Sequence, residues 1–308
     1  MQQCNQSVQL TVTVLFLITS CNSKIILKVK PATSKVDSVI TNFGVDDKKV
    51  TEKEITMFNI TEDNLKRGIR IEMGRVPNDI FIRDPTPYHN LFADYKWREV
   101  NRRVQVKRAE VFDIVNRNIT LAIHSVVNNT TRRIKKLVGV RETVENTISS
   151  SWLDQGSPED EIVYDINVTY GNESFIFKNR RRFNNFESVT LPFGIPVIGY
   201  IFLDPGQTAY IELTATKTIS LIKVDYAALL VGNVIANYAQ VYGKYHFWAP
   251  TIGSIMKAAK LKNEFITTEF IEMRCYFDPR IKIFDKYTLD PIHITKLIPF
   301  HTKKGKIN

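Results

Sequence analysis

The chain has 308 residues, a formal net charge of +10, 44% hydrophobic residues and three cysteines. That length can bury a core without cross-links, which suits two modest domains or one elongated β protein and excludes a small disulfide-stapled scaffold. The positive charge suits anionic lipid, acidic glycans or nucleic acid.

Residues 1–23 contain no Lys, Arg, Asp or Glu, and residues 8–18 are apolar apart from Gln9 and two threonines, which reads as a secretory signal peptide. Its apolar core falls short of the ~20 residues a spanning helix needs. The stretch "ITSC" ending at Cys21 also fits a bacterial lipoprotein cleavage pattern, yet such leaders open with Lys or Arg and this one does not. Sequons at Asn59, Asn118, Asn128, Asn129, Asn167 and Asn172 favour the eukaryotic secretory route. A secreted protein meets little nucleic acid, so lipid, glycan or another acidic extracellular surface is the expected partner. Cys4 and Cys21 leave with the leader. Cys275 alone remains, expected as a small buried hydrophobe, and no intrachain disulfide can form.

Residues 24–109 form an N-terminal region of unassigned fold, a possible receptor-binding end. Short β-like runs occur at residues 25–29, 69–73 and 80–83, and residues 61–66 predict a helical turn or two. Exposed-looking aromatics here, Tyr88 and Trp97, leave open a carbohydrate-binding module. Beyond Lys96 a period of two strengthens: "VFDIV" and "ITLAIHSVV" predict two strands separated by the Asn-rich "NRN". Residues 128–152 are polar and rich in Thr and Ser, with apolar residues at Ile134, Val138, Val140, Val144 and Ile148. This predicts long, two-sided polar strands whose register is weakly specified.

A hairpin follows. Ile162, Tyr164, Ile166, Val168 and Tyr170 alternate with Val163, Asp165, Asn167 and Thr169; Gly171 and Asn172 make a tight turn; Phe175 and Phe177 alternate on the return. The nine residues of the first arm match the ~9 to 11 that a tilted strand needs to cross a bilayer. Asp204-Pro205-Gly206 then predicts a turn between two strands, with a further strand over residues 223–234 in which Ala227, Ala228 and Gly232 permit close backbone approach. Residues 242–248 predict an aromatic corner, with His246 bonded to backbone and Phe247 and Trp248 as core anchors. Thr251 caps a short helix carrying Ile252, Ile255, Met256 and Ala259 on one face. A last strand at residues 270–278 precedes a basic tail, residues 286–308, expected to fray.

Basic clusters stand at Arg98, Arg102, Arg103, Lys107 and Arg108, at Arg132, Arg133, Lys135 and Lys136, and at Arg180, Arg181 and Arg182. The last two are candidates for contact with anionic surfaces, while edge-strand charges account for any one cluster equally well. The five histidines, His89, His124, His246, His293 and His301, show no metal-ligand spacing, so no metal is expected. Nucleophile-elbow, phosphate-loop and dinucleotide fingerprints are absent, and the acidic run Glu159 to Glu161 reads as a solvated turn. No catalytic residue, no enzyme activity and no cofactor is expected.

"SVVNNTT", "VRETVENTISSSW", the alternating hairpin, "LDPGQTAYIELTATKTISLIKVDYAALLVGNVIANY" and "YHFWAP" together resemble the aerolysin-like β-pore-forming superfamily, and within it the insect spherulin-like group that includes follicular epithelium yolk proteins. The resemblance covers residues 110 to about 280. It implies a mainly β fold of elongated, twisted antiparallel sheets with few short helices, an aerolysin-like module over residues 110–285, and a homo-oligomer as the working form. It further implies that residues 140–152 and 186–191 flank an insertion hairpin, residues 162–177, and that residues 204–206 join two scaffold strands. The sequons at Asn167 and Asn172 depart from that pattern, because a glycan cannot cross hydrocarbon. Arg180, Arg181 and Arg182 at the hairpin's foot would each cost roughly 2 to 4 kcal/mol if they faced lipid at the midplane. An egg-yolk or eggshell protein that keeps the fold without insertion is the alternative.

Overall fold

The computed structural model describes residues 24–153, 163–170, 173–180 and 186–296. The order is β1 (Ile25–Lys30), β2 (Val39–Phe43), β3 (Asp46–Lys49), α1 (Glu52–Met57), α2 (Glu62–Met73), β4 (Asp79–Phe81), α3 (Leu91–Asp94), β5 (Asn101–Val127) and β6 (Ile134–Trp152). Then come β7 (Val163–Tyr170), β8 (Glu173–Arg180), β9 (Phe186–Leu203), β10 (Thr208–Val231), β11 (Ile235–Tyr242), β12 (Tyr245–Trp248), α4 (Ile252–Ala258), β13 (Phe265–Asp285) and β14 (Thr295–Lys296). Mainly antiparallel β structure with four short helices agrees with the expected fold class.

Three long strands make the frame. At roughly 3.3 Å per residue, the 27 residues of β5 extend about 90 Å. β10 pairs with β5 on one edge and with β13 on the other along nearly its whole length. Two sequence expectations are corrected here. "NRN" does not break a strand: Asn116, Arg117 and Asn118 stay in the ladder of β5 opposite Thr218, Lys217 and Thr216. The two strands expected after the Asp204 turn are one, β10, which contains no Gly, Pro or Asn to break it. Single register shifts at Leu213/Thr214, Leu221/Ile222 and Asp225/Tyr226 let the long pair twist without ending it.

Two smaller layers cover opposite halves of this frame. Toward the end of β10 that begins with Ala209, β6 and β9 pair with each other, and Val138, Val140, Ile201 and Leu203 pack on Ile211, Leu213 and Ile283. Toward the other end, the sheet β2-β1-β7-β8 lies against Ile222, Val224 and Tyr226 of β10 and Ile271, Met273 and Cys275 of β13. Cys275 is fully buried, as its setting in an apolar strand suggested.

Beyond Val231 the chain enters a helical head. Residues 69–73, expected as β, are the last turns of α2: Thr61 caps its start, Leu65, Gly68 and Ile69 face inward, and Gly74 closes it at φ 87°. A helical period there outweighed the local β propensity. α4 forms as expected, with the Thr251 side chain accepting from the Ser254 N–H. The head core joins Phe58, Leu65 and Ile69 to Tyr238, Ile252, Ile255 and Met256. The proposed border between residues 109 and 110 falls inside β5, and β1, from the N-terminal region, pairs with β7.

The corner at residues 242–248 is a β-hairpin, β11 with β12. His246 Nδ1 donates to the Tyr238 carbonyl at 2.8 Å, in line with a backbone-bonded histidine. Trp248, expected as a buried anchor, is half-buried; its indole donates to the Tyr242 carbonyl at 3.0 Å.

Candidate functional site: a hairpin clamped by the first strand

β7 and β8 pair antiparallel from Val163↔Arg180 to Tyr170↔Glu173. The alternation in the sequence becomes a division of faces. Ile166, Val168 and Phe177 are completely buried against the frame, while Ile176, across the ladder from Asn167, is 56% exposed. The three buried side chains share a cluster with Ile25, Leu27 and Val29 of β1 and with Ile148, Ile222, Val224, Tyr226, Ile271 and Met273.

The hairpin lies inside a longer one. β6 leads in and β9 leads out, paired with each other from Ile134↔Leu203 to Ser149↔Phe186. Two antiparallel pairs are therefore nested in the chain, β6 with β9 outside and β7 with β8 inside. Among the described residues, the end of β6 nearest the hairpin is bonded to the frame where residues 147–152 pair with β13 and where the Leu153 N–H donates to the Thr268 carbonyl. At that junction the fully buried Glu269 carboxylate of β13 accepts from Ser150 Oγ of β6 at 2.6 Å and from the Tyr226 hydroxyl of β10 at 2.9 Å, and the Trp152 ring packs on Tyr226 at 5.5 Å.

Among the described residues, β1 is the hairpin's only main-chain neighbour outside itself. It runs parallel to β7, with Ile25 opposite Tyr164 and Val29 opposite Val168. Lys24 Nζ reaches Asp165 Oδ2 at 2.5 Å, a pair whose carboxylate is mostly shielded. β1 was legible as a strand, but nothing in its residues named the partner 139 positions away. The clamp is what pattern reading missed.

Tyr164, Tyr170, Phe175 and Arg180 lie in the paired strands; Ile162, Gly171, Asn172, Arg181 and Arg182 fall outside the described residues, as does the leader. Arg132, Arg133, Lys135 and Lys136 are all exposed at the start of β6, the end remote from the hairpin. Of the cluster at Arg180 to Arg182, only the backbone of Arg180 is described, paired with Val163 at the foot of the hairpin. Arg133 also pairs with Asp204 at 3.4 Å and caps Phe202, and Lys135 sits over the Tyr200 ring at 4.0 Å. Of the sequons, Asn59, Asn118 and Asn129 are exposed, and Asn167 is half-buried with its Oδ1 enclosed and unpartnered. Asn128 is completely buried. Its amide donates to the carbonyls of Arg132 and Leu203, which leaves no room for a glycan.

No family model matches the chain. It is similar in sequence to U-megalopygitoxin(8)-Mc8 of Megalopyge crispata, 24% identical, over 79% of this chain and 86% of that one. It is 25% identical to U-megalopygitoxin(8)-Mo12 of Megalopyge opercularis, over the same shares. Among solved structures it is similar to the parasporin-2 toxin of Bacillus thuringiensis (TM-score 0.44, 14% identity, 82% of this chain and 100% of that one). It is also similar to the Mpp75Aa1.1 β-pore-forming protein of Brevibacillus laterosporus (TM-score 0.42, 10% identity, 62% and 72%). Among the described residues no helix is long and apolar enough to cross a membrane; strands are a separate matter.

Proposed function

We propose that this is a secreted, non-enzymatic protein of aerolysin-like type that binds a membrane or extracellular surface, oligomerises and inserts residues 162–177 of each subunit into a shared β-barrel. The carrying observation is the ribbon within a ribbon: an amphipathic hairpin between two long paired strands, held at one edge by β1 alone among the described residues. Relatives named as toxins support the reading. Leaving the frame exposes Ile166, Val168 and Phe177, at about 1.5–3 kcal/mol of lost burial each, and only a second apolar environment offsets that. A barrel wall in lipid supplies it, and closure of the barrel satisfies the hairpin's free edges.

The test is a reversible lock. Lys28 and Asn167 are direct partners across the β1–β7 ladder, so the double variant Lys28→Cys/Asn167→Cys sets up a disulfide across adjacent strands. Wild-type protein should give stepwise conductance in a planar bilayer; the oxidised variant should bind and stay silent until reduced. Equal conductance from the oxidised and reduced forms would remove the hairpin from the mechanism.

The sequon at Asn167 favours a second reading, a yolk- or eggshell-type protein that keeps the fold and does not insert. Glycan occupancy at Asn167 in the secreted protein, read by mass spectrometry, together with bilayer silence would select it.

A further inference from the structure

At the head, remote from the basic cluster at Arg132 to Lys136, a cavity of about 670 Å³ opens between the segment after α3 and the β11–β12 hairpin. Two pieces far apart in sequence build it. Tyr95 and Trp97 stack nearly parallel, with centroids 4.7 Å apart and planes 15° from each other, and Tyr95 is 55% exposed. Opposite them, Tyr245, 57% exposed, packs edge-on against Trp248, beside Lys244 and His246.

These rings are held in place by the fold, Trp97 and Phe247 against one core cluster and Trp248 against another. The Trp248 indole N–H is tied to the Tyr242 carbonyl and the His246 Nδ1–H to the Tyr238 carbonyl, so each ring is fixed by the backbone of the neighbouring strand. Phe247 is braced from behind by Tyr88, whose hydroxyl accepts from Asn237. Large exposed aromatic faces in fixed orientations are the usual means of gripping an apolar ring face at little entropic cost. With Nδ1 engaged, His246 keeps Nε2 as a polar atom for the ligand. Lys244 is exposed and has no carboxylate within ion-pair distance among the described residues, and no Asp or Glu lines the cavity.

We infer that this cavity is a binding site for acidic saccharides: a sugar ring lies on the Tyr95 or Tyr245 face, and its carboxylate or sulfate meets the Lys244 ammonium. The size decides against a simple choline cage, because the volume falls in the ordinary 300–1,000 Å³ range of small-molecule sites and far exceeds a trimethylammonium group. The absence of any lining carboxylate also disfavours a cationic headgroup, which an anionic wall would stabilise. The site places surface recognition at the head and leaves the hairpin at mid-molecule free to move. It does not depend on insertion: sugar binding is read on immobilised glycans and insertion by conductance, so each can fail alone.

The experiment passes the full secreted chain over surfaces carrying 3′-sialyllactose, a heparin oligosaccharide and lactose, and over phosphatidylcholine vesicles. Binding to at least one acidic sugar well above lactose is expected. Tyr245→Ala should weaken it tenfold or more, and Lys244→Gln should weaken it similarly while leaving any residual lactose binding unchanged. Both positions are exposed, so both variants should melt with wild type. Failure to bind either acidic sugar, acidic-sugar binding untouched by the two variants, or binding confined to phosphatidylcholine vesicles would overturn the inference.

Discussion

Replacing Phe177 by Ala should loosen the hairpin and leave the frame intact. The ring is completely buried between β1 and the β10–β13 face, so its loss removes a full aromatic contact and leaves a cavity that the paired strands cannot easily close. Such truncations cost about 3–5 kcal/mol. Among the described residues, β8 is an edge strand bonded to β7, and none of its residues pairs with β10 or β13. The cost therefore falls on the local opening of β1, β7 and β8 rather than on global unfolding. At 1.4 kcal/mol per decade, hydrogen exchange in β7 and β8 should speed up by about a hundredfold to several thousandfold, while amides of β10 and β13 beside Ile211 and Ile283 hold their protection. Exchange by mass spectrometry with peptide resolution reads both regions in one experiment. Equal acceleration in β10 and β13 would show that the hairpin is an integral part of one cooperative core, and the clamp account would fail.

Three further outcomes are expected. Gly232 has φ +115° and an added Cβ would lie 2.2 Å from the Glu99 carbonyl oxygen, so Gly232→Ala should lose at least ~2 kcal/mol in a denaturant melt, whereas Gly206→Ala, with open space around it, should lose only about 1–2 kcal/mol. Arg102 is buried between Glu54 (2.9 Å) and Asp46 (3.3 Å), and Arg102→Met should destabilise by about 3–5 kcal/mol because it takes the shared guanidinium from two buried carboxylates; restoring much of that loss by adding Asp46→Leu and Glu54→Leu would confirm the cause. The Arg103 hydrogen bond, aided by Arg98 and opposed by partial burial, holds the Asp47 carboxyl below its ordinary range. A depressed folded-state pKa gives stabilisation that is present above the ordinary carboxylate value near ~4 and is lost as pH falls through the lower folded value. Exchange protection of β3 should drop below about pH 4, and Asp47→Asn should flatten that dependence.

Much of the fold was legible because period-two alternation survives burial. The frame strands, the hairpin at residues 162–177, the Asp204 turn and the capped helix at Thr251 each follow from residue types within a dozen positions, where backbone sterics and a single buried face dominate. Strand length was not legible. Whether Asn116 to Asn118 interrupts a strand depends on a neighbouring ladder that holds it, and β10 supplies that neighbour from about 100 residues away.

By itself, then, the sequence determined a β-rich chain with one amphipathic hairpin and with Cys275 set in an apolar strand. Only the tertiary structure decided that β1 clamps the hairpin, that Asn128 is sealed inside, and that Tyr95 and Trp97 meet Tyr245 and Trp248 across a cavity. The physical reason is the same in each case. Local pattern says which face of a strand is apolar, and only long-range pairing, specified by the fit of whole surfaces, says what that face will touch.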